Sequence, residues 1–248
     1  LWVGGGVRGD LGRSLWTRSD VLSLVREALP NTLELGALAL VIGIAVGLPI
    51  GIVSATRQNT WQDYSSRMVS IAGLSLPDFW LGTVFVLIAS LVFKYGPPLG
   101  FHSLLQEPAA NLQQFIWPAI ILGFRLSAVL MRMTRSSLLD VLREDYIRTA
   151  RAKGLRERTV VYAHALKNAM IPIITILGNQ IPFLIGGAII METIFGIPGM
   201  GRLTVDAIRV RDYTVIQGNT LLLASGVVFI NLLVDITYGW LDPRIRLR

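Results

Sequence analysis

The sequence contains no cysteine and only two histidines, His102 and His164. The lack of cysteine excludes a disulfide framework, a thiolate metal site and a cysteine nucleophile. The two histidines lie far apart and show no metal-ligand spacing, so we expect no metal site. The chain also lacks the G-x-x-x-x-G-K-[ST] loop that cradles nucleotide phosphates, which excludes a nucleotide site of that kind.

Charged residues are scarce as well. They make up 16% of the chain, whereas about 25% is typical of soluble domains, and 52% of the residues are hydrophobic. The mean hydropathy is +0.57, and the apolar residues occur in long blocks, which predicts a polytopic membrane protein. The net charge of +7 then indicates basic loops that face the cytoplasm and anionic lipid. Binding of nucleic acid is disfavoured, because no basic stripe is interleaved with aromatic residues.

The first 31 residues are polar and contain no membrane span. We expect an extracytoplasmic segment at 1–31, with a short helix over 20–29 that Pro30 ends. The sequence starts at Leu1 and shows no signal-peptide pattern. We therefore expect a preceding segment that holds one further helix.

Five stretches are long and apolar enough to cross a membrane: 32–55, 68–93, 115–133, 169–191 and 218–240. At 1.5 Å per residue, each covers a hydrocarbon core of about 30 Å. Four prolines mark kinks inside the spans, and the many glycines indicate close helix contacts; these prolines are Pro77, Pro118, Pro172 and Pro182. The predicted fold is an all-α polytopic helical bundle, with one transmembrane domain over 32–248.

The Lys and Arg residues predict the orientation of the chain. With the N-terminal end outside, the inner segments 56–67, 132–168 and 241–248 carry fourteen basic residues and the outer segments carry eight. Basic residues are concentrated on the cytoplasmic side of membrane proteins. The loop at about 135–168 and the C-terminus are therefore expected in the cytoplasm.

That inner loop contains a regular polar segment between two apolar blocks. Its apolar positions recur at helical spacing from 136 onward, so we expect the third span to continue as a helix up to Gly154. A second short helix is expected over 157–166. A short helix held crosswise offers its side chains to a groove on a partner. The alternative is a solvated basic loop that only enforces topology.

Several motifs of this segment, and others along the chain, resemble one family. The segment 146–155 (YIRTARAKGL), followed by 164–169 (HALKNA) and Ile171-Pro172, resembles the EAA loop of bacterial ABC-importer permeases of the dipeptide, oligopeptide and nickel branch. Further matches are 8–14 (RGDLGRS), 76–82 (LPDFWLG), 192–195 (ETIF) and 198–203 (PGMGRL). The ending, with Asp235, Tyr238 and 241–246 (LDPRIR), resembles the first, B-type permease of such systems.

The resemblance implies the fold of a type I ABC-importer permease and a set of partners. These are a second homologous permease, one or two ABC ATPases that hold ATP and Mg²⁺, a solute-binding protein and membrane lipid. This chain would bind no cofactor and catalyse no reaction. It would lie in the cytoplasmic (inner) membrane of a bacterium or archaeon and form half of a translocation path. The cargo would be di- or oligopeptides, with nickel chelate, glutathione or opine as alternatives. A coupling helix at about 150–163 would dock on the ATPase through Thr149, Ala150, Arg151, Ala152, Lys153, Gly154, Leu155, Arg156 and Glu157.

The sequence departs from the family pattern at three points. Thr149 stands where the motif has its glutamate, and Asp78 stands where Ser or Thr is expected. The family's usual first helix has no counterpart in this sequence.

Two charged residues fall near the middle of predicted spans. Asp78 and Arg125 each lie about ten residues from a span end, which at 1.5 Å per residue is close to the bilayer centre. A lone charge there costs at least about 2.5–3.5 kcal/mol, so such groups pair or face water. We predict an Asp78–Arg125 pair that lines or braces the path. The alternatives are a purely structural pair and an Arg125 side chain that extends to the interface.

The outer loop at 192–202 combines a defined turn with charged residues. It lies where a solute-binding protein would dock, and the predicted docking residues are Glu192, Phe195, Pro198, Gly199, Gly201 and Arg202. The alternative is a rigid connector.

Two other functional classes are disfavoured. A membrane-embedded enzyme would require a Ser-His-Asp set, a paired-aspartate pattern or H-E-x-x-H, and none occurs. An independent ion-coupled transporter would show inverted repeats in one chain, and no internal repeat is visible.

Overall fold

The computed structural model describes residues 9–94, 96 and 101–241. Within these ranges the chain is helical and forms no β-strand beyond an isolated bridge between Arg13 and Asp20. The helices are α1 (Val21–Thr56), α2 (Trp61–Ser75), α3 (Asp78–Phe93), α4 (Pro108–Leu142), α5 (Asp145–Ala152), α6 (Glu157–Thr159), α7 (Leu166–Phe195), α8 (Met200–Arg209) and α9 (Tyr213–Leu241). A π-helix, Val160–Ala165, joins α6 to α7. Residues 8 and 242–246 of the family-like motifs lie outside the described ranges.

Four of the five predicted spans are confirmed as apolar helices. Among the described residues, four helices are long and apolar enough to cross a membrane, and the bent pair α2–α3 brings the number to five if it forms one span. The helices α1, α4, α7 and α9 contain the first, third, fourth and fifth predicted spans. Each extends beyond the predicted bounds, because the flanking turns bury further apolar side chains.

The short helix predicted over 20–29 is wrong. The helix that starts at Val21 runs through Pro30 without a break and continues to Thr56. Proline inside a helix costs about 3 kcal/mol or more. Around Pro30 this cost is offset by burial of Val21, Val25 and Ala28, which belong to one hydrophobic cluster with Leu11.

The second predicted span, 68–93, is also corrected. It is not continuous, because α2 and α3 meet at an angle of 95° across Leu76 and Pro77. A residue that precedes proline favours an extended backbone, and Leu76 has φ −89° and ψ 126°. Pro77 therefore produces a sharp corner instead of a kink.

The contacts of the chain divide it into two compact units. The first unit comprises 1–39, 77–122 and 182–229, and the second comprises 40–76, 123–181 and 230–248. In the first unit, a core of Leu11, Val21 and Val25 with Met200, Ala207 and Val215 ties the start of α1 to α8 and the start of α9.

In the second unit, α1 and α4 approach each other closely along a glycine stripe. A Cβ added at Gly43 would lie 2.6 Å from Leu126, one at Gly47 would lie 2.7 Å from Leu130, and one at Gly51 would lie 2.6 Å from Thr134. Small residues four apart allow such close contact between membrane helices.

Candidate functional site

The helix α5 is the separate short helix of the inner segment. Only Ile147 and Ala150 are buried, at 0% and 8% exposure. The spacing of three residues places both side chains on one face. The other residues of α5 are exposed, so the helix rests on a narrow apolar stripe and presents its polar surface outward.

A tight turn follows α5. Gly154 has φ +78°, a conformation that favours glycine. The amide N–H of Gly154 donates to the carbonyl of Arg151 at 2.9 Å, and the N–H of Lys153 donates to the carbonyl of Thr149 at 3.0 Å. Every residue from 151 to 159 is exposed, so the turn is a continuous exposed surface that is polar apart from Ala152 and Leu155.

An ion pair closes this turn. The Arg151 guanidinium donates to both carboxylate oxygens of Glu157, at 3.1 and 2.7 Å. These hydrogen bonds raise the pKa of Arg151 above its usual value. The two side chains are 42% and 61% exposed, and pairs this exposed contribute roughly 0–1 kcal/mol. The pair therefore sets the shape of the turn more than its stability.

A second contact anchors α5 to the following span. The side-chain amide of Asn168 donates to the hydroxyl of Tyr146 at 2.7 Å. Tyr146 lies in the first turn of α5 and Asn168 in the first turn of α7. The segment is thus held at both of its ends, by Tyr146–Asn168 and by Arg151–Glu157.

The structure corrects the predicted course of this segment. The helix α4 ends at Leu142 and does not reach Gly154. No single helix covers 150–163, because a turn at 153–156 separates α5 from α6. The predicted helix at 157–166 is not separate from the next span, since it continues into α7. The break at Gly154 is as predicted, and the isolated helix lies before it.

The predicted contact residues therefore differ in what they offer. Arg151 and Glu157 bind each other, and Ala150 faces inward. Thr149, Ala152, Lys153, Gly154, Leu155 and Arg156 are exposed. Within the described part of the chain, Lys153 and Arg156 form no ion pair.

Sequence reasoning missed a buried ion pair near this segment. Asp63 is 0% exposed and receives two hydrogen bonds from Arg135, at 2.7 and 2.8 Å. The hydroxyl of Ser54 donates to Asp63 at 2.7 Å, and the N–H of Asn59 donates to it at 3.0 Å. Asp63 thus joins α1, the connection to α2, and α4. The acidic residue Asp63 in the first turn of α2 was the available signal.

The outer loop is built around a buried carboxylate. Glu192 is 0% exposed and accepts hydrogen bonds from the Thr32 hydroxyl at 2.6 Å and from the Arg202 N–H at 3.0 Å. The Thr32 hydroxyl oxygen in turn accepts from the N–H of Met200 at 2.8 Å. Glu192 and Thr32 therefore satisfy the free N–H groups at the start of α8.

Two glycines allow this arrangement. A Cβ at Gly199 would lie 2.2 Å from the carboxyl carbon of Glu192, and a Cβ at Gly201 would lie 2.3 Å from the Cα of Ile189. Both positions therefore require glycine.

The predicted docking residues of this loop divide by exposure. Glu192, Phe195, Gly199 and Gly201 are buried, so they support the loop from within and offer no side chain to a partner. Pro198 and Arg202 are partly exposed and line a groove of about 550 Å³.

The predicted pair of Asp78 and Arg125 falls in two different units. Asp78 is the first residue of α3, in the first unit, and Arg125 lies in α4, in the second. The pair stays a prediction.

The chain matches a known family over most of its length. Residues 47–247 match the family model "Binding-protein-dependent transport system inner membrane component". The chain is 40% identical, over 99% of its length and 79% of the relative, to the dipeptide transport system permease protein DppB of Escherichia coli K12. It is 41% identical, over 99% and 79%, to the di/tripeptide transport system permease protein DppB of Pseudomonas aeruginosa UCBPP-PA14. Identity to the glutathione transport system permease protein GsiC of Escherichia coli O6:H1 is 40%, over 99% and 78%.

Solved structures share the fold. The MetNI methionine ABC transporter matches with a TM-score of 0.69 at 18% identity, over 88% of this chain and 96% of that chain. An amino acid ABC transporter matches with a TM-score of 0.64 at 17% identity, over 90% and 94%. The helical fold is thus that of ABC-importer permeases. The chain belongs to the family of inner membrane components of binding-protein-dependent transport systems.

Proposed function

We propose that this chain forms half of the translocation path of an ATP-driven importer for small peptides. The observation that carries the proposal is α5 with its turn. This short helix packs through Ile147 and Ala150. The nine residues from its last two positions through the turn, 151–159, are all exposed. Such a surface fits a groove on a soluble partner.

The partner on this side would be an ATPase that binds ATP and Mg²⁺. This sequence has no phosphate-binding loop, so the energy for transport would come from that other chain. Lys153 and Arg156 would make the charged contacts, and Arg151–Glu157 would hold the turn in shape. The surface would face the cytoplasm, as the distribution of basic residues indicates.

Two further partners complete the assembly. A second homologous permease would form the other half of the path, and a solute-binding protein would deliver the cargo. The groove beside Pro198 and Arg202 is the docking surface that we propose for the binding protein. The alternative for the outer loop is a rigid connector.

The cargo that we propose is a di- or oligopeptide. Relatives at 40–41% identity carry the names of dipeptide and di/tripeptide systems, and glutathione, named for another, is itself a tripeptide. Nickel chelate and opine are the alternatives. Uptake of labelled dipeptide, glutathione and nickel by the assembled transporter in proteoliposomes distinguishes them, and lack of dipeptide uptake would contradict the proposed cargo.

Site-directed cross-linking tests the docking surface. Because the chain has no cysteine, Arg156→Cys introduces a single thiol. We expect it to cross-link to the ATPase in the intact complex. Leu105→Cys is the matched control, because this site is 93% exposed and lies between the second and third predicted spans, on the outer side of the predicted topology. Purification of the complex without an ATPase chain would contradict the proposal.

A further inference from the structure

A cavity with arginine and serine side chains in a largely apolar wall opens in the second unit, beside the buried Asp63–Arg135 pair. Its volume is about 340 Å³, and its walls come chiefly from α2 and the C-terminal half of α4. Arg67 of α2 and Arg132 and Arg135 of α4 all line it. The spacings on each helix, of three and four residues, place these side chains on the faces that border the cavity.

The cavity carries uncompensated positive charge. Arg135 is neutralised by Asp63. Over the described ranges, Arg67 and Arg132 form no ion pair, although Arg67 lies 5.9 Å from the ring centre of Tyr64. Arg67 and Arg132 are both exposed, so water partly screens their charges, and an anion in the cavity would be attracted by both.

Most serine hydroxyl groups of the cavity already donate hydrogen bonds within the protein, so a ligand would bind mainly to the guanidinium groups. Ser70 donates to the carbonyl of Ala128 at 2.7 Å, and Ser66 donates to the carbonyl of Asp63 at 2.9 Å, so both are already engaged as donors. Ser136 is exposed at the rim. The two guanidiniums therefore supply most of the available N–H donors, and phosphate oxygens are acceptors that suit them.

The rest of the cavity wall is apolar. Ile71 and Leu74 lie about 6 and 10 Å along α2 from Arg67, at 1.5 Å per residue, and the buried Met131 also lines the cavity. A second groove of about 310 Å³ adjoins the cavity at Ser66 and Met131 and is lined mostly by apolar side chains. Free phosphate would use only the charged end, whereas a molecule with a phosphate head and apolar chains would use both.

We propose that this cavity binds an anionic phospholipid, with the headgroup phosphate on Arg67 and Arg132 and an acyl chain along Ile71 and Leu74. Basic pockets between transmembrane helices on the cytoplasmic side are suited to such headgroups. The charge distribution along the sequence predicts this side for both arginines. The bound lipid would lie against the Asp63–Arg135 pair, close to where α4 leads into α5.

The test uses the assembled transporter, purified in detergent and washed extensively. Bound lipid is extracted and quantified by mass spectrometry. We expect wild-type protein to retain anionic phospholipid. The variant Arg67→Gln/Arg132→Gln should retain at most about one tenth as much, which corresponds to about 1.4 kcal/mol of binding free energy. Arg67→Lys/Arg132→Lys keeps the charge and should retain more lipid than the glutamine pair.

The control is Arg57→Gln, which removes one positive charge from an exposed site outside the cavity. It should retain lipid as wild type does. Equal retention by wild type and the glutamine pair would overturn the proposal. So would displacement of the lipid by millimolar inorganic phosphate, which would identify a site for free anions. Cross-linking of Arg67→Cys to another subunit would also overturn it, because a protein would then cover the cavity.

Discussion

Arg135 holds the carboxylate of Asp63 through two parallel hydrogen bonds, from Nε to Oδ1 at 2.7 Å and from Nη2 to Oδ2 at 2.8 Å. Asp63 is fully buried and Arg135 is 22% exposed. The pair therefore depends on both partners, because without Arg135 the buried carboxylate would keep only the hydrogen bonds from Ser54 and Asn59, which do not neutralise its charge.

We predict that Arg135→Gln destabilises the protein by about 3 kcal/mol, the lower end for breaking a buried ion pair, since Arg135 retains some solvent. The double variant Asp63→Asn/Arg135→Gln should be more stable than Arg135→Gln, because it leaves no buried charge. Thermal unfolding of the purified transporter measures both. Arg57→Gln is the control at an exposed arginine, and an equal effect of Arg57→Gln and Arg135→Gln would contradict the prediction.

Gly201→Ala should disrupt the outer loop. The new methyl group would lie 2.3 Å from the Cα of Ile189, and backbone atoms of a packed helix have little room to move away. Overpacking typically costs about 1–3 kcal/mol, and a clash with backbone belongs at the upper end. The yield of folded, monodisperse transporter and its thermal stability are the measurements.

Gly186→Ala is the matched control for that change. Gly186 belongs to the same first unit, and a Cβ there meets no atom within 4 Å. Alanine has the higher helix propensity, so this variant should be as stable as wild type or slightly more stable. Equal yield and equal thermal stability of Gly186→Ala and Gly201→Ala would show that close packing at Gly201 does not require glycine.

Asp212 provides a prediction about pH. Burial raises the pKa of its carboxyl, but hydrogen bonds from the Ser14 hydroxyl and from the N–H groups of Leu15, Val215 and Trp16 outweigh burial and lower the pKa below its usual range. Because the folded pKa lies below the unfolded value of about 3.9, the contribution to stability is complete above that pH. It is lost as the pH falls through the folded value.

Ser14→Ala removes the 2.5 Å hydrogen bond to Asp212 and should bring that pKa closer to its ordinary value. We expect lower stability at neutral pH, by about 1.5–3 kcal/mol for a hydrogen bond to a charged group, and a smaller further loss below pH of about 4. Thermal unfolding across an acid pH series measures this difference. An unchanged acid dependence would show that Ser14 does not influence Asp212.

The Arg151–Glu157 pair should matter for transport more than for stability. Each single reversal, Arg151→Glu or Glu157→Arg, brings like charges together across the turn, whereas the double reversal restores the pair. Stability should change by less than about 1 kcal/mol throughout. ATP-driven uptake should fall in both single variants and recover in the double variant. Uptake that is lost equally in the double variant would instead indicate that Arg151 itself contacts the partner.

The sequence predicted the elements that depend on local composition. Four long apolar stretches became helices, and Gly154 ends a helical segment because its left-handed backbone is unfavourable for other residues. Pro30 and Pro77 show where local rules failed. The same residue type lies inside a continuous helix at Pro30 and at a 95° corner at Pro77. Burial of Val21, Val25 and Ala28 offsets the cost of the first, whereas the second follows an extended Leu76.

The contacts of the sites were less accessible to sequence reasoning. Asp63 and Arg135 lie 72 positions apart, and Thr32 and Glu192 lie 160 apart. No spacing rule joins residues at such distances, because their contact depends on how whole helices pack. The sequence placed Glu192 in the outer loop, but it did not predict that the side chain is buried.

The π-helix Val160–Ala165 has a consequence for how the inner segment evolves and moves. One extra residue in an α-helix would rotate everything beyond it by about 100°, but a wide turn of this type takes up that residue locally. When Val160–Ala165 gains or loses one residue, α7 can thus keep its rotation about its own axis relative to the exposed residues 151–159. A change of one residue in this stretch would therefore leave the rotation of the following membrane span unchanged.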